Sequence, residues 1–507
     1  MDWTLRLGGP MLMTVAVGTL LFAQTAASGE VAIVVDNSKP RQVMEGFGAT
    51  HCPLAQDRSA YPKGDTLTPE LRKQALEAVY GQVKLTMGNI DARARETPAG
   101  GTESGNDNDD PQTIDWKGFR MTELDNAKAK LVDPAQPLGF DNHFLGRISV
   151  RWQSPWLAEL RKQDRNRFLD EYVEQIVATS LYWRDTCKVT SRYNVMFLNE
   201  PTSGNGELAG GNAKEIAEII KRAGKRLQAE GFKDVKFIAP NEETVNHSRA
   251  VAETILADAE ARQYVAAIGY HCYPYGSPYA SVKRILKESA EGKPDHREVE
   301  ERRMLRELAA KHKLPLWMTE VSHPEVPAYS FDLVRGRAVH IHDELVYADA
   351  AAFFGMGSMW DTATHQEHYK GRSGPPIEGE ADTPVLIDNE KQTVRITGTG
   401  YAIGHYARWI KRGAVRIEAE SSAPLVQVTA FRDDEGKRCV LVVINNASEA
   451  QTLAVNLKGL EISGDITGEQ STEQARWQAL PALKPAGAAA FKVTLPPLSV
   501  TSLAVPR

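Results

Sequence analysis

Tyr193-Asn194-Val195-Met196-Phe197-Leu198-Asn199-Glu200-Pro201 is apolar almost throughout and then stops abruptly. A short apolar run of this kind reads as a parallel strand buried on both faces. Pro201 has no N–H to offer a ladder, so pairing ends at Asn199-Glu200. In an α/β barrel, the C-terminal lip of a buried parallel strand is where functional side chains are presented. A second stretch has the same form: Leu314-Pro315-Leu316-Trp317-Met318-Thr319-Glu320-Val321-Ser322-His323 ends its apolar run on another acid, Glu320.

Outward from these two stretches the chain supplies matching units. Strands are predicted at 43–49, 83–90, 147–151, 235–239, 265–270 and 351–359, and helices at 68–80, 157–183, 207–230, 278–312, 333–350 and 401–410. Strand followed by helix, repeated about eight times, predicts an α/β fold, a (β/α)8 TIM barrel. From Arg416 the character changes. Residues 425–431, 439–444, 453–457, 489–495 and 501–505 are short alternating runs separated by turns, the pattern of a β-sandwich. Residues 31–35, Val-Ala-Ile-Val-Val, have no natural partner in the barrel and are assigned to that sandwich. The expected division is a signal peptide at 1–27, an N-terminal strand joining the sandwich at 28–40, the barrel at 41–411 and the C-terminal sandwich at 412–507.

Composition narrows the function. A chain of 507 residues exceeds one ordinary core. Its net charge is −6 with no long basic block, which argues against nucleic acid as a partner. Arg6, the apolar run 11–23 and the small residues Thr25-Ala26-Ala27-Ser28 have the order of an export signal cleaved near Ala27, so the mature chain is expected to be secreted or periplasmic. That run is too short for a comfortable membrane span and no other segment qualifies. Cys52, Cys187, Cys272 and Cys439 are scattered without metal-finger spacing and are read as buried thiols, two of them (Cys52 and Cys272) near strand ends and so near the pocket. A monomer without cofactor or metal is expected.

Two carboxylates on two strand ends, facing one pocket, are the minimum equipment for cleaving a glycosidic bond. Cleavage with retention needs carboxyl groups about 5–5.5 Å apart, one protonated and one ionised. Mutual repulsion and desolvation drive such a pair's pKa values apart. Around them, Asn199 is placed to hydrogen-bond a sugar hydroxyl next to the reacting carbon, and His271 or Tyr273 to orient Glu320 from a neighbouring strand end. Trp156 and Trp360 offer flat faces to sugar rings. Glu242 and Glu243 rank as second-choice acids.

Other features read as ordinary structure. Residues 96–145 form a long irregular stretch whose Asp107, Asp109 and Asp110 lack EF-hand spacing and are expected to be solvated. His365 and His368 lack a third ligand, Arg93 and Arg95 read as a surface salt-bridged pair, and Trp152 and Trp317 as core or wall.

Five motifs occur in the order found in one family. Glu45-Gly46-Phe47-Gly48-Ala49 resembles the opening motif of the family 30 glycoside hydrolases, and Ser154-Pro155-Trp156 is similar to their Ser-Pro-Trp after the third strand. Asn199-Glu200-Pro201 resembles the acid/base motif of the wider clan of retaining barrel glycosidases, and Trp317-Met318-Thr319-Glu320 the family's nucleophile strand. Gly400-Tyr401-Ala402-Ile403-Gly404-His405-Tyr406, with Gly413-Ala414-Val415-Arg416-Ile417, resembles the last helix and its entry into the side sandwich. The chain departs from the family at the end of strand two, where Met87-Gly88-Asn89 stands in place of the usual arginine. The resemblance implies a barrel fused to a sandwich built from both chain ends. It also implies hydrolysis of a β-linked glycan with retention, Glu200 serving as acid/base and Glu320 as nucleophile. The alternatives are a carbohydrate-binding protein on a non-catalytic barrel and a metal-dependent barrel hydrolase, for which only His271 sits clearly at a strand end.

Overall fold

A computed structural model describes residues 30–50, 52–54, 67–98, 103–150, 154–203, 208, 211–274, 281–322, 326–362 and 382–507. The expected leader, Trp152, His365 and His368 lie outside the described residues. No described helix is long and apolar enough to cross a membrane.

The barrel is built from β2 (Gly46–Ala49), β3 (Met87–Asn89), β4 (Asn142–Leu145), β5 (Arg192–Val195), β6 (Phe237–Glu242), β7 (Val265–His271), β8 (Leu316–Glu320) and β9 (Ala350–Gly355). Each pairs in parallel with the next and β9 closes on β2. Its interior is filled by Met87, Phe144, Met196, Ile238, Ala267, Trp317, Ala352 and Phe354. Phe144 stacks on Trp317 at 5.5 Å and meets Phe354 at 4.9 Å, so the barrel is a packed core. Small residues face large ones here. A Cβ on Gly48 would fall 2.4 Å from the Phe354 ring, which is why that position carries none.

Several elements differ from the sequence reading. The third barrel strand is β4, not residues 147–151. Its Asn142-His143 opening hides it from a hydropathy argument. His143 is nevertheless fully buried between Phe140 and Tyr193, and its Nε2 accepts the Trp183 indole N–H at 2.9 Å. Burial pushes His143 down to about 3, so it packs as a neutral aromatic ring. Consequently residues 96–145 are not one irregular stretch: they hold the helix Thr122–Ala127 and β4. Asp107 is buried rather than solvated, and so is Arg93, which shares Glu123 with Arg95. The helix predicted over 157–183 is two, Pro155–Gln163 and Arg165–Leu181. Asp164 stands between them and caps the second by accepting the Arg167 N–H at 3.0 Å.

β1 (Val31–Val43) leaves the barrel and joins the sandwich, pairing antiparallel with β10 (Val415–Ser421) and parallel with β13 (Gln451–Lys458). β11 (Val426–Asp433), β12 (Arg438–Asn445), β14 (Thr467–Ser471), Gln478–Ala479, Pro485–Gly487, Ala490–Leu495 and Ser499–Pro506 complete the ten-stranded sheet. Its alternating inward residues, among them Ile33, Val35, Val428, Leu441, Val455 and Phe491, form a separate apolar core.

The helix Gly398–Ala407 locks barrel to sandwich. The buried His405 donates from Nδ1 to Ser502 Oγ and accepts at Nε2 from Ser471 Oγ, each at 2.8 Å. Those roles follow because Ser502 Oγ itself donates to the His405 carbonyl. Beside it, Trp477 of the sandwich lies against Gly404, where a Cβ would come within 2.0 Å of the indole.

Candidate active site

The chain does not end its pairing cleanly after β5. Met196, Phe197 and Leu198 run on as buried side chains, Met196 into the barrel interior and Phe197 against Tyr172 of the helix layer, with the Met196 N–H donating to Leu145 O at 2.9 Å. Glu200 then adopts a left-handed backbone, φ 48°, and its N–H donates to Asn241 O at 2.9 Å. This kink next to Pro201 turns the Glu200 carboxylate into the barrel mouth. Glu320 arrives by a simpler route as the last residue of β8.

β7 lies between their strands and supplies the group that joins them. Alternation along an extended chain sends Tyr270 and Cys272 outward and His271 inward. His271 Nδ1 lies 3.0 Å from Glu200 Oε1 and 3.9 Å from Glu320 Oε1. The nearest donor atoms of Glu200, His271 and Glu320 all fall within 4.8 Å of one another. The Tyr273 hydroxyl donates to Glu320 Oε1 at 3.2 Å. Burial alone would push His271 down, but Glu320 and the Glu200 hydrogen bond outweigh it and hold the imidazole above its ordinary value. When protonated, His271 offsets the repulsion between two close carboxylates. Burial, then the Glu320 charge, pushes the Tyr273 hydroxyl well above the usual phenol range, so it stays a donor.

The exposures differ between the two acids. The Glu200 side chain is 25% exposed and Glu320 8%, so Glu200 is the more open to solvent.

The other predicted residues are placed as follows. Asn199 Oδ1 accepts from Asn241 Nδ2 at 3.2 Å beside the Glu200 kink. Trp360 is half-buried at the rim after β9, its indole over Gly357 and packed with Ala328, Tyr329 and Leu386. Trp156 sits in the first turn of Pro155–Gln163 and packs against the layer between barrel and helices, and its indole N–H finds no hydrogen-bond partner among the described residues. Cys272 turns away from the mouth, its Sγ 3.1 Å from His340 Nε2. None of the four cysteines is in a disulfide, and all four are buried.

Sequence reasoning missed Asn241, Thr319 and Arg147. Asn241, itself at φ 64°, links Leu198 O, Asn199 and the Thr319 hydroxyl and so ties the ends of β5, β6 and β8 together. Arg147, expected within a strand, instead pairs with Asp91 at 3.8 Å and brings positive charge toward His271. Glu242, ranked as a second-choice acid, is fully buried beneath Glu200 and accepts the Thr202 N–H at 3.0 Å. Burial pushes it up to about 7. Its place just before a helix, after Pro240-Asn241, was the available signal.

Chemically, a cleft with two facing carboxylates, an imidazole and a phenol can protonate a leaving oxygen and attack an electrophilic carbon from opposite sides. The same two carboxylates and imidazole are also a donor set that can hold a metal ion.

Residues 413–503 match the description of the glycosyl hydrolase family 30 beta sandwich domain. The chain is 24% identical over 288 residues to glucuronoxylanase XynC of Bacillus subtilis, covering 56% of this chain and 55% of that one. It is 22% identical over 461 residues to putative glucosylceramidase 2 of Caenorhabditis elegans, covering 85% and 80%. It thus spans little more than half the length of XynC. The fold superposes on a GH30 endoxylanase from Clostridium papyrosolvens C71 with a TM-score of 0.65 at 16% identity, over 94% of this chain and 100% of the other. Residues 413–503 thus carry a family 30 sandwich domain, and the chain as a whole is similar in sequence and architecture to family 30 glycoside hydrolases.

Proposed function

We propose that the protein is an exported retaining glycosidase that cleaves β-glycosidic bonds of a poly- or oligosaccharide by double displacement. Glu320 is the nucleophile and Glu200 the acid/base. The observation that carries this reading is the convergence of their oxygens within 4.8 Å at two strand ends. That closeness is in keeping with the about 5–5.5 Å between carboxyl groups of retaining enzymes and falls short of the about 6.5–9.5 Å of inverting ones.

In the first step the Glu320 carboxylate attacks the anomeric carbon while Glu200 gives its proton to the departing oxygen. The glycosyl–Glu320 ester forms as the glycosidic C–O bond breaks. In the second step Glu200, now a carboxylate, takes a proton from water, which displaces Glu320. His271 and Tyr273 hold Glu320 in its attacking rotamer from the neighbouring strand end, and Asn199 contacts the sugar beside the reacting carbon. Export follows from the leader-like order of residues 1–27.

The deciding experiment uses activated aryl β-glycosides. Glu320→Gln is expected to lose at least ~10³-fold in kcat. Glu200→Gln should lose kcat/KM heavily on poor leaving groups yet keep it on a dinitrophenyl glycoside, which leaves without a proton, while kcat on that substrate falls because the second step has lost its base. NMR of the first-formed product should show the β-anomer. Inversion, or full activity in Glu320→Gln, removes the assignment; loss of activity in EDTA favours the metal reading of the same three side chains.

A further inference from the structure

The loop 103–118 lies over the helix Arg165–Leu181, on the flank of the barrel, and buries acids there. Glu171 and Glu174 on that helix are wholly buried, Glu96 of the short strand Arg95–Glu96 equally so, and Asp107 nearly so. Oxygens of Glu96, Asp107 and Glu174 fall within 4.8 Å of one another. The protein supplies donors to one side of the cluster. Glu96 accepts from Gln175 Nε2 at 2.6 Å and from the Asp107 N–H at 3.2 Å. Asp107 Oδ2 accepts from the Asp115 N–H at 2.7 Å and Asn108 Nδ2 at 2.9 Å. Glu171 Oε1 accepts from Arg167 Nε at 3.2 Å and Asn106 Nδ2 at 3.5 Å. The other side is left bare. Both oxygens of Glu174, Oε2 of Glu171, Oδ1 of Asp107 and Oδ1 of Asn106 find no donor among the described residues.

We infer that this cluster is a calcium site, with Glu96, Asp107, Glu171, Glu174 and the Asn106 side-chain carbonyl as its ligands. Among the described residues, four buried carboxylates face one ion-pairing cation, Arg167, with Arg226 acting on Glu174 through its field. Buried carboxylates without partners are costly, and an acceptor-only set of hard oxygens is satisfied by a hard cation. One oxygen each of Glu96, Asp107 and Glu174 lie within 4.8 Å of one another, a separation that oxygens on a coordination sphere of about 2.4 Å radius can span. The set has neither sulfur nor imidazole, which disfavours zinc, and it is too enclosed for the waters that magnesium retains.

Without an ion the cluster must hold protons. Burial first, and then neighbouring carboxylates, push Glu96 up to about 9 and Glu174 up to about 8, and Glu171 and Glu174 lie close enough to share a proton. Calcium displaces those protons and pins the loop to the helix. It thereby steadies the ladder of Arg95–Glu96 with Phe119–Arg120, just beyond Asp91 and Arg93 at the barrel rim. This inference stands apart from the glycosidase assignment.

The full chain, stripped with EGTA and desalted at pH 8, is titrated with calcium chloride and, separately, with magnesium chloride, reading Tm and bound metal by plasma mass spectrometry. The expected result is one calcium per chain and a Tm rise on the order of 3–10 °C, with a smaller response to magnesium. Glu174→Gln should be at least as stable as wild type in EGTA, because it loses an unpartnered buried charge, yet gain nothing from calcium. Asp107→Asn serves if that variant does not fold. A wild-type Tm indifferent to calcium with no metal retained marks a proton-sharing cluster only and overturns the proposal. A full calcium response in Glu174→Gln places the ion elsewhere and overturns it equally.

Discussion

Tyr273→Phe isolates one hydrogen bond at the proposed nucleophile. The hydroxyl donates to Glu320 Oε1 at 3.2 Å, and its other contact, Met356 Sδ at 3.7 Å, is weak. Phenylalanine keeps the ring and its edge-on packing against His271, 5.9 Å between centroids. A hydrogen bond to a charged group contributes about 1.5–3 kcal/mol. If Tyr273 holds the attacking carboxylate, removing that contact lowers kcat/KM on an aryl β-glycoside by about 10- to 150-fold. Tyr270→Phe is the matched control. Its hydroxyl donates to Glu344 Oε2 at 2.6 Å, on the outer face of the same strand, where Arg302 Nε also pairs with Glu344 at 2.8 Å. That variant should lose a similar free energy of folding, read by urea unfolding, with kcat unchanged. Activity of Tyr273→Phe within about threefold of wild type, on a folded protein, would refute the reasoning. So would equal losses of activity in the two variants.

Three further outcomes follow from the same structure. His271 has a raised pKa in the fold, so its stabilising contribution is complete below its unfolded value of about 6.5 and fades as pH rises through the folded value. The stability gap between wild type and His271→Gln, from urea midpoints, should therefore narrow from pH 6 to pH 9; a widening gap contradicts it. His405 is held down to about 3 by burial first and then Arg408, so folding loses stability on acidification below about 6.5, at up to ~1.4 kcal/mol per pH unit. His405→Gln should flatten that slope by close to one proton, and an unchanged slope would show His405 charged in the fold. Gly404→Ala drives a Cβ to 2.0 Å from the Trp477 ring and should destabilise by about 1–3 kcal/mol. Adding Trp477→Phe should recover part of that loss in thermal unfolding, and no recovery would place the strain elsewhere.

The legible parts of the sequence were those whose physics is local. Met196–Leu198 and Leu316–Met318 are apolar because both faces of a barrel strand are buried, and polar residues follow at the lip. Hydropathy failed where a polar side chain is satisfied by a distant partner. The strand holding His143 fell inside a stretch read as irregular because the partners that satisfy that imidazole, Trp183, Phe140 and Tyr193, are invisible from its own neighbours. Arg93 looked like a surface residue for the same reason, its partner Glu123 lying on another element. Asp107 read as solvated because its acidic companions Glu96 and Glu174 arrive from a strand and a helix on either side.

The sequence alone determined the period of the elements, the eightfold alternation, the change to short β-runs after Arg416 and the two acids at strand ends, since these depend on side-chain burial repeating along the chain. Barrel closure decided what those acids meet. It brought the ends of β5 and β8 to either side of β7, and the register of β7 turned His271 toward both carboxylates while sending Tyr270 and Cys272 outward. Distances between groups far apart in sequence are set by strand pairing and shear, which no local pattern encodes.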